Sequence, residues 1–130
     1  YQQYLVLNRM TKDLNMPVEI VRCDIVREPD GLAISSRNEY LTPKQRAAAP
    51  AIYRALQEGA QAVRDGASPD QARQIVIDII EQEPPLEVQY VEAVDPVTLQ
   101  ELEQSGPPML LAAAVFAGDT RLIDNILVEE

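Results

Sequence analysis

The chain reads as α+β: the last helix and strand of an α/β domain, followed by a small domain of helices packed on a three-stranded, mainly antiparallel sheet. Three observations predict this. Thr42-Pro43-Lys44-Gln45 and Ser68-Pro69-Asp70-Gln71 are two complete helix starts. The apolar run Met109 to Phe116 meets a second β-rich run across a Gly118-Asp119 turn signal. Ahead of both, a helical pattern passes through Asn15-Met16-Pro17 into a β-branched segment, as in a βαβ unit.

From Gln2 to Leu14, residues Val6, Leu7, Met10 and Leu14 recur at helical spacing. Val18 to Val26 predicts a strand, and Cys23 within it a buried structural thiol. Ligands of α/β domains sit at the carboxyl ends of strands, which sets Val26 and the loop after it at the mouth of a site. Thr42 as N-cap opens a helix that runs to about Gly66 with an interruption at Pro50 and a buried face of Ile52, Leu56 and Val63. Ser68 opens the next, where Ala72, Ile75, Val76, Ile79 and Ile80 give the cleanest amphipathic pattern of the chain. Leu86 to Val94 has strand character, Val97 to Gln104 predicts a short polar helix, and Thr120 to Val128 is the partner of the Met109 run.

Between the two parts lies Asp30-Gly31-Leu32-Ala33-Ile34-Ser35-Ser36-Arg37-Asn38, two hydroxyls and a guanidinium after a turn. Hydroxyls and a planar cationic fork suit the oxygens of a polyphosphate. The same residues also read as a helix start, because Ser36 followed three residues later by Glu39 is a capping box. Glu28 and Asp30, beside Pro29, are carboxylates of the kind magnesium favours together with phosphate, but in a turn they read as solvated.

Composition narrows the function. The net charge is −10, against nucleic-acid binding, and the acidic excess lies after residue 45. No apolar run is long enough for a bilayer span, no signal-peptide pattern is present, and one cysteine permits no internal disulfide, which predicts a cytoplasmic protein.

Tyr1-Gln2-Gln3, Val26-Arg27-Glu28, Ser35-Ser36-Arg37-Asn38 and Gly118-Asp119-Thr120-Arg121-Leu122-Ile123-Asp124-Asn125 occur in one order. Together they resemble the pantothenate synthetases, the pantoate-β-alanine ligase family, from Tyr1 essentially to the end. The resemblance implies a Rossmann-like nucleotide-binding domain whose end is residues 1–26, an active-site loop and linker at 27–42, and a C-terminal α+β domain at 43–130. It implies an ATP-dependent, AMP-forming ligase in which pantoate attacks ATP to give pantoyl adenylate and β-alanine then displaces AMP, with Mg2+ accompanying the nucleotide. Arg37, Ser35 and Ser36 would be catalytic and, with Val26 and Ile34, bind ATP. Gln3 would bind pantoate, and no residue is assigned to a metal. Arg121, Asp124 and Asn125 are family-like but read as structural hydrogen-bond or ion-pair residues.

The family's paired-histidine motif is absent, as is histidine altogether. The resemblance therefore implies the later part of a longer protein, inactive alone, whose partners are small molecules and its own missing N-terminal half, with a homodimer expected of the parent. Some family members continue into a cytidylate kinase domain. Arg22-Cys23-Asp24 departs from the family's usual glycine, valine and proline. Two other classes stay open: an acidic interaction or regulatory module using the Met109 to Phe116 strand, or another nucleotidyltransferase. The first predicts no nucleotide response, and the second needs a different final domain.

Overall fold

The computed structural model describes all 130 residues, Tyr1–Glu130. Helix α1 spans Gln2–Asp13. It stops where expected because Asn15 takes φ 50°, while Asn15 N–H donates to Lys12 C=O and Met16 N–H to Thr11 C=O, the paired bonds of a Schellman ending. Its apolar stripe remains exposed, with Val6 at 59% and Leu14 at 66%.

Residues 18–26 form no strand, contrary to the sequence expectation. A strand needs a neighbour to complete its hydrogen-bond ladder, and the one backbone bond these residues make to a distant segment of this chain is at their end, from Ile34 N–H to Val26 C=O. Cys23 is exposed for the same reason, so it is not the buried thiol its apolar surroundings predict.

The rest forms a two-layer α+β unit. Helices α2 (Pro43–Ala48), α3 (Ala51–Arg64) and α4 (Pro69–Glu81) precede strands β1 (Leu86–Val94), β2 (Met109–Ala117) and β3 (Thr120–Val128). Both predicted capping boxes are complete, Thr42 with Gln45 and Ser68 with Gln71. Pro50 divides α2 from α3, since a proline offers no N–H to carry a helix through. The sheet is wholly antiparallel in the order β1-β2-β3. Ile52, Leu56 and Val63 of α3 and Ala72, Val76 and Ile80 of α4 are buried in one core with Met109, Leu111 and Val115 of β2. Gly59 permits this: a Cβ there would lie 2.6 Å from Val76 Cγ2. A bulge at Gln89 switches the inward set of β1 from Leu86 and Val88 to Val91 and Ala93.

The short helix expected at Val97 to Gln104 is absent. Asp95 Oδ1 accepts from Val97 N–H, Thr98 N–H and the Thr98 hydroxyl, and Leu99 takes φ 59°. A side chain that captures backbone donors in this way offers a turn in place of a helix. Strand β2 is central and paired on both sides, which removes the free edge that an interaction module built on it requires.

Candidate active site

The loop that joins the two parts is a small hairpin. Ile34 N–H donates to Val26 C=O at 2.9 Å, Glu28 N–H to Leu32 C=O at 2.8 Å, and Arg27 bridges Ala33. Gly31 turns it with φ 95°, and an added Cβ there would meet Tyr53 Cδ1 of α3 at 2.6 Å. The glycine thus serves close packing as much as turning. Leu32 enters the core. Asp30 accepts from Arg46 at 2.6 Å and from Leu32 N–H, so it is neither free nor clustered with other carboxylates. The Arg46 hydrogen bond, foremost, holds the Asp30 carboxyl below its ordinary range.

Ser35 follows directly. Its side chain accepts from Arg37 N–H at 3.2 Å and caps a 3-10 turn over Ser36–Tyr40. The expected cap at Ser36 with Glu39 is therefore displaced by one residue, and the turn does not grow into a helix. Pro43 keeps Thr42 extended, and Thr42 opens α2, so no room is left for propagation. Asn38 fastens the turn to the hairpin through Nδ2–H to Ala33 C=O at 3.0 Å, leaving its Oδ1 buried without a donor. The guanidinium of Arg37 is exposed and makes no hydrogen bond or ion pair within the chain.

Ile34, Ser35, Arg37 and Asn38 line a cleft of about 440 Å3 that runs beside the edge strand β3, where Arg121 to Asn125 form the other wall. A larger cleft of about 950 Å3 lies between α1, residues 20–25 and α3, and holds Gln3. Tyr1, Ile25, Tyr53 and Asn125 border both, so the two form one trough. Of the residues singled out by sequence, Ile34, Ser35 and Arg37 share the first cleft and Gln3 stands in the second. Ser36 and Val26 are exposed and line neither.

A cluster beneath the hairpin has no local sequence signal. Arg27 Nη1 donates to Asp124 Oδ2 at 2.6 Å and Nη2 to Asp124 Oδ1 at 2.9 Å, across 97 residues of chain. The same Nη1 donates to Gly31 C=O at 3.1 Å, and the guanidinium carbon lies 3.7 Å from the centre of the Tyr53 ring. Asp124 is thus the ion-pair residue that the sequence suggests. Arg121 donates to Gln89 Oε1 at 2.7 Å, likewise a structural bond.

Comparison with known proteins bears on this arrangement. A family model described as pantoate-beta-alanine ligase matches residues 1–127. The pantothenate synthetase of Thermodesulfovibrio yellowstonii is 48% identical over 130 residues, 99% of this chain and 46% of that protein. That of Chloroflexus aggregans is 50% identical over 98% of this chain and 47% of its own length. The chain thus spans about half the length of the curated relatives it matches. The crystal structure of pantothenate synthetase from Thermus thermophilus superposes with a TM-score of 0.92 at 39% identity, covering 100% of this chain and 47% of that one. The pantoate-beta-alanine ligase of Francisella tularensis, solved in complex with beta-gamma ATP and beta-alanine, superposes with a TM-score of 0.62 at 25% identity and shares 41% of its length.

Proposed function

This chain belongs to the pantoate-beta-alanine ligase family, and we propose that it forms the part of such an enzyme that closes over ATP during pantothenate synthesis. The observation that carries this reading is Arg37, an exposed guanidinium without an internal partner, in one cleft with Ile34 and Ser35 that opens into the cleft of Gln3. A cation held ready and unneutralised is what a polyphosphate needs. Residues 1–26 would complete the nucleotide-binding domain of the longer enzyme, 27–42 supply its loop, and 43–130 its C-terminal domain.

In the first step a pantoate carboxylate oxygen attacks the α-phosphorus of ATP, the bond to the bridging oxygen breaks, and pyrophosphate leaves with the electron pair. In the second, the β-alanine amine attacks the acyl carbon of pantoyl adenylate, AMP departs and the amine gives up a proton. Arg37 would counter the charge that grows on the transferring and leaving phosphates, with the Ser35 and Ser36 hydroxyls as donors. Ile34 N–H and Val26 C=O bond each other, so Val26 N–H and Ile34 C=O are the backbone groups left for the nucleotide. The Gln3 amide would donate to pantoate. Magnesium enters as part of the nucleotide substrate: no cluster of carboxylates, cysteines or histidines in this chain could hold it, and Asp30 is already engaged by Arg46. It keeps several waters and binds through phosphates in such settings.

The test is AMP release by the full-length enzyme with ATP, magnesium, pantoate and β-alanine, each omitted in turn. Release that requires both pantoate and β-alanine supports the reading, and release with neither overturns it. The 130 residues alone are expected to form no pantothenate above a buffer control, because they span only about half the length of the relatives they match and carry no histidine.

A further inference from the structure

The loop proposed to close over ATP is held by four different means, and only one of them is both buried and charged. Leu32 anchors it by apolar packing, Gly31 rests on Tyr53, and Asp30 pairs with Arg46, whose side chains are 43% and 38% exposed. An ion pair that open to solvent adds little restraint. The fourth is Arg27, whose side chain is 16% exposed against 5% for Asp124.

We propose that Arg27 is a positioning residue of the ligase, pinning the hairpin before Ser35-Ser36-Arg37 to Asp124 of β3 and Tyr53 of α3, so that the loop and the C-terminal domain move as one piece. The inference rests on the reading of the loop given above. Three features of the geometry carry it. The fork is bidentate, which fixes the plane of the guanidinium as well as its distance from Asp124. That plane stacks on Tyr53, which also supports Gly31, so one aromatic ring sets both the guanidinium and the hairpin turn. Finally, Nη1 is shared between Asp124 Oδ2 and Gly31 C=O, which is satisfied only when the hairpin sits in one register against β3.

Stability alone does not account for the pair. A buried ion pair is commonly matched or surpassed in stability by apolar residues of similar volume. What the apolar pair lacks is the fixed direction of the fork. Lysine would keep the charge but lose both the fork and the stack. Arg27 lies four residues from Gly31 in the chain and reaches Asp124 through the fold, so its guanidinium is where the loop's position is decided by the second domain.

The experiment uses the full-length ligase with Arg27→Lys, Arg27→Met and the double variant Arg27→Met/Asp124→Leu. The double variant, chosen to restore thermal stability, keeps kcat for AMP release about 10²-fold below the parent, the scale of displacing a reacting group by about 1 Å. Arg27→Lys stays low as well. Amide hydrogen exchange, which needs no turnover, shows Gly31 and Leu32 opening at least ~10-fold faster in the double variant than in the parent at matched stability. A double variant or lysine variant with the parental kcat overturns the proposal, as does unchanged exchange at Gly31 and Leu32. If the parent releases no AMP with pantoate and β-alanine, the functional reading fails, and the exchange measurement still decides whether Arg27 pins the hairpin.

Discussion

Arg37 and Arg27 are ten residues apart on one loop and have opposite fates: one guanidinium is exposed and unpaired, the other is forked onto a buried carboxylate. The sequence singles out the loop of the first, because hydroxyls and a cation after a turn suit the oxygens of a phosphate, the role proposed above for Arg37. The second was not legible there, since its partner lies 97 residues away and its aromatic support comes from another helix. Ser35 shows a third case, in which the cap was expected one residue too late because it is the Ser35 side chain, not that of Ser36, that accepts the Arg37 N–H. At this scale the expected outcome concerns Arg37→Ala in the full-length enzyme. Steady-state kinetics should show kcat/KM lowered by at least ~10²-fold, the usual loss of one transition-state charge stabiliser. An unchanged value would return Arg37 to a mere turn residue.

Elements with complete local instructions formed as read. The capping boxes at Thr42 and Ser68, the break at Pro50 and the hairpin around Gly118-Asp119 each depend on residues within a few positions of one another. Two elements failed for physical reasons that differ. Residues 18–26 have the composition of a strand but no ladder to join beyond the one bond at Val26, and Val97 to Gln104 lost its helix to the hydrogen bonds of Asp95. The bonds from Thr98 N–H and then Val97 N–H hold the Asp95 carboxyl below its ordinary range. A carboxyl depressed in the folded state stabilises it fully above the unfolded pKa and loses that contribution as pH falls through the folded one. Asp95→Ala should therefore lower the urea midpoint at neutral pH and approach the parent as the solution is acidified through the carboxylate range. A difference that does not shrink with acid would place the effect elsewhere.

In the whole molecule, one core joins α3, α4 and the inner face of the sheet, and the loop is fastened to its side by Leu32. Leu56, fully buried on α3, tests that core: Leu56→Ala should cost about 2–5 kcal/mol of unfolding free energy in urea titration. The exposed Glu58→Ala should change it by less than about 0.5 kcal/mol. A small loss at Leu56 would mean that the layers are not packed on one another. No helix is long and apolar enough to cross a membrane. By itself the sequence determined the α+β class, the helix starts, the three strands and the family, because caps, turns and periodicity act between near neighbours and motif order survives without coordinates. Only the tertiary structure decided that Arg27 belongs to Asp124, that Gln3 and Arg37 face one trough, and that residues 18–26 stand without a sheet. Each of those depends on which distant surfaces meet, and a short-range pattern holds no information about that.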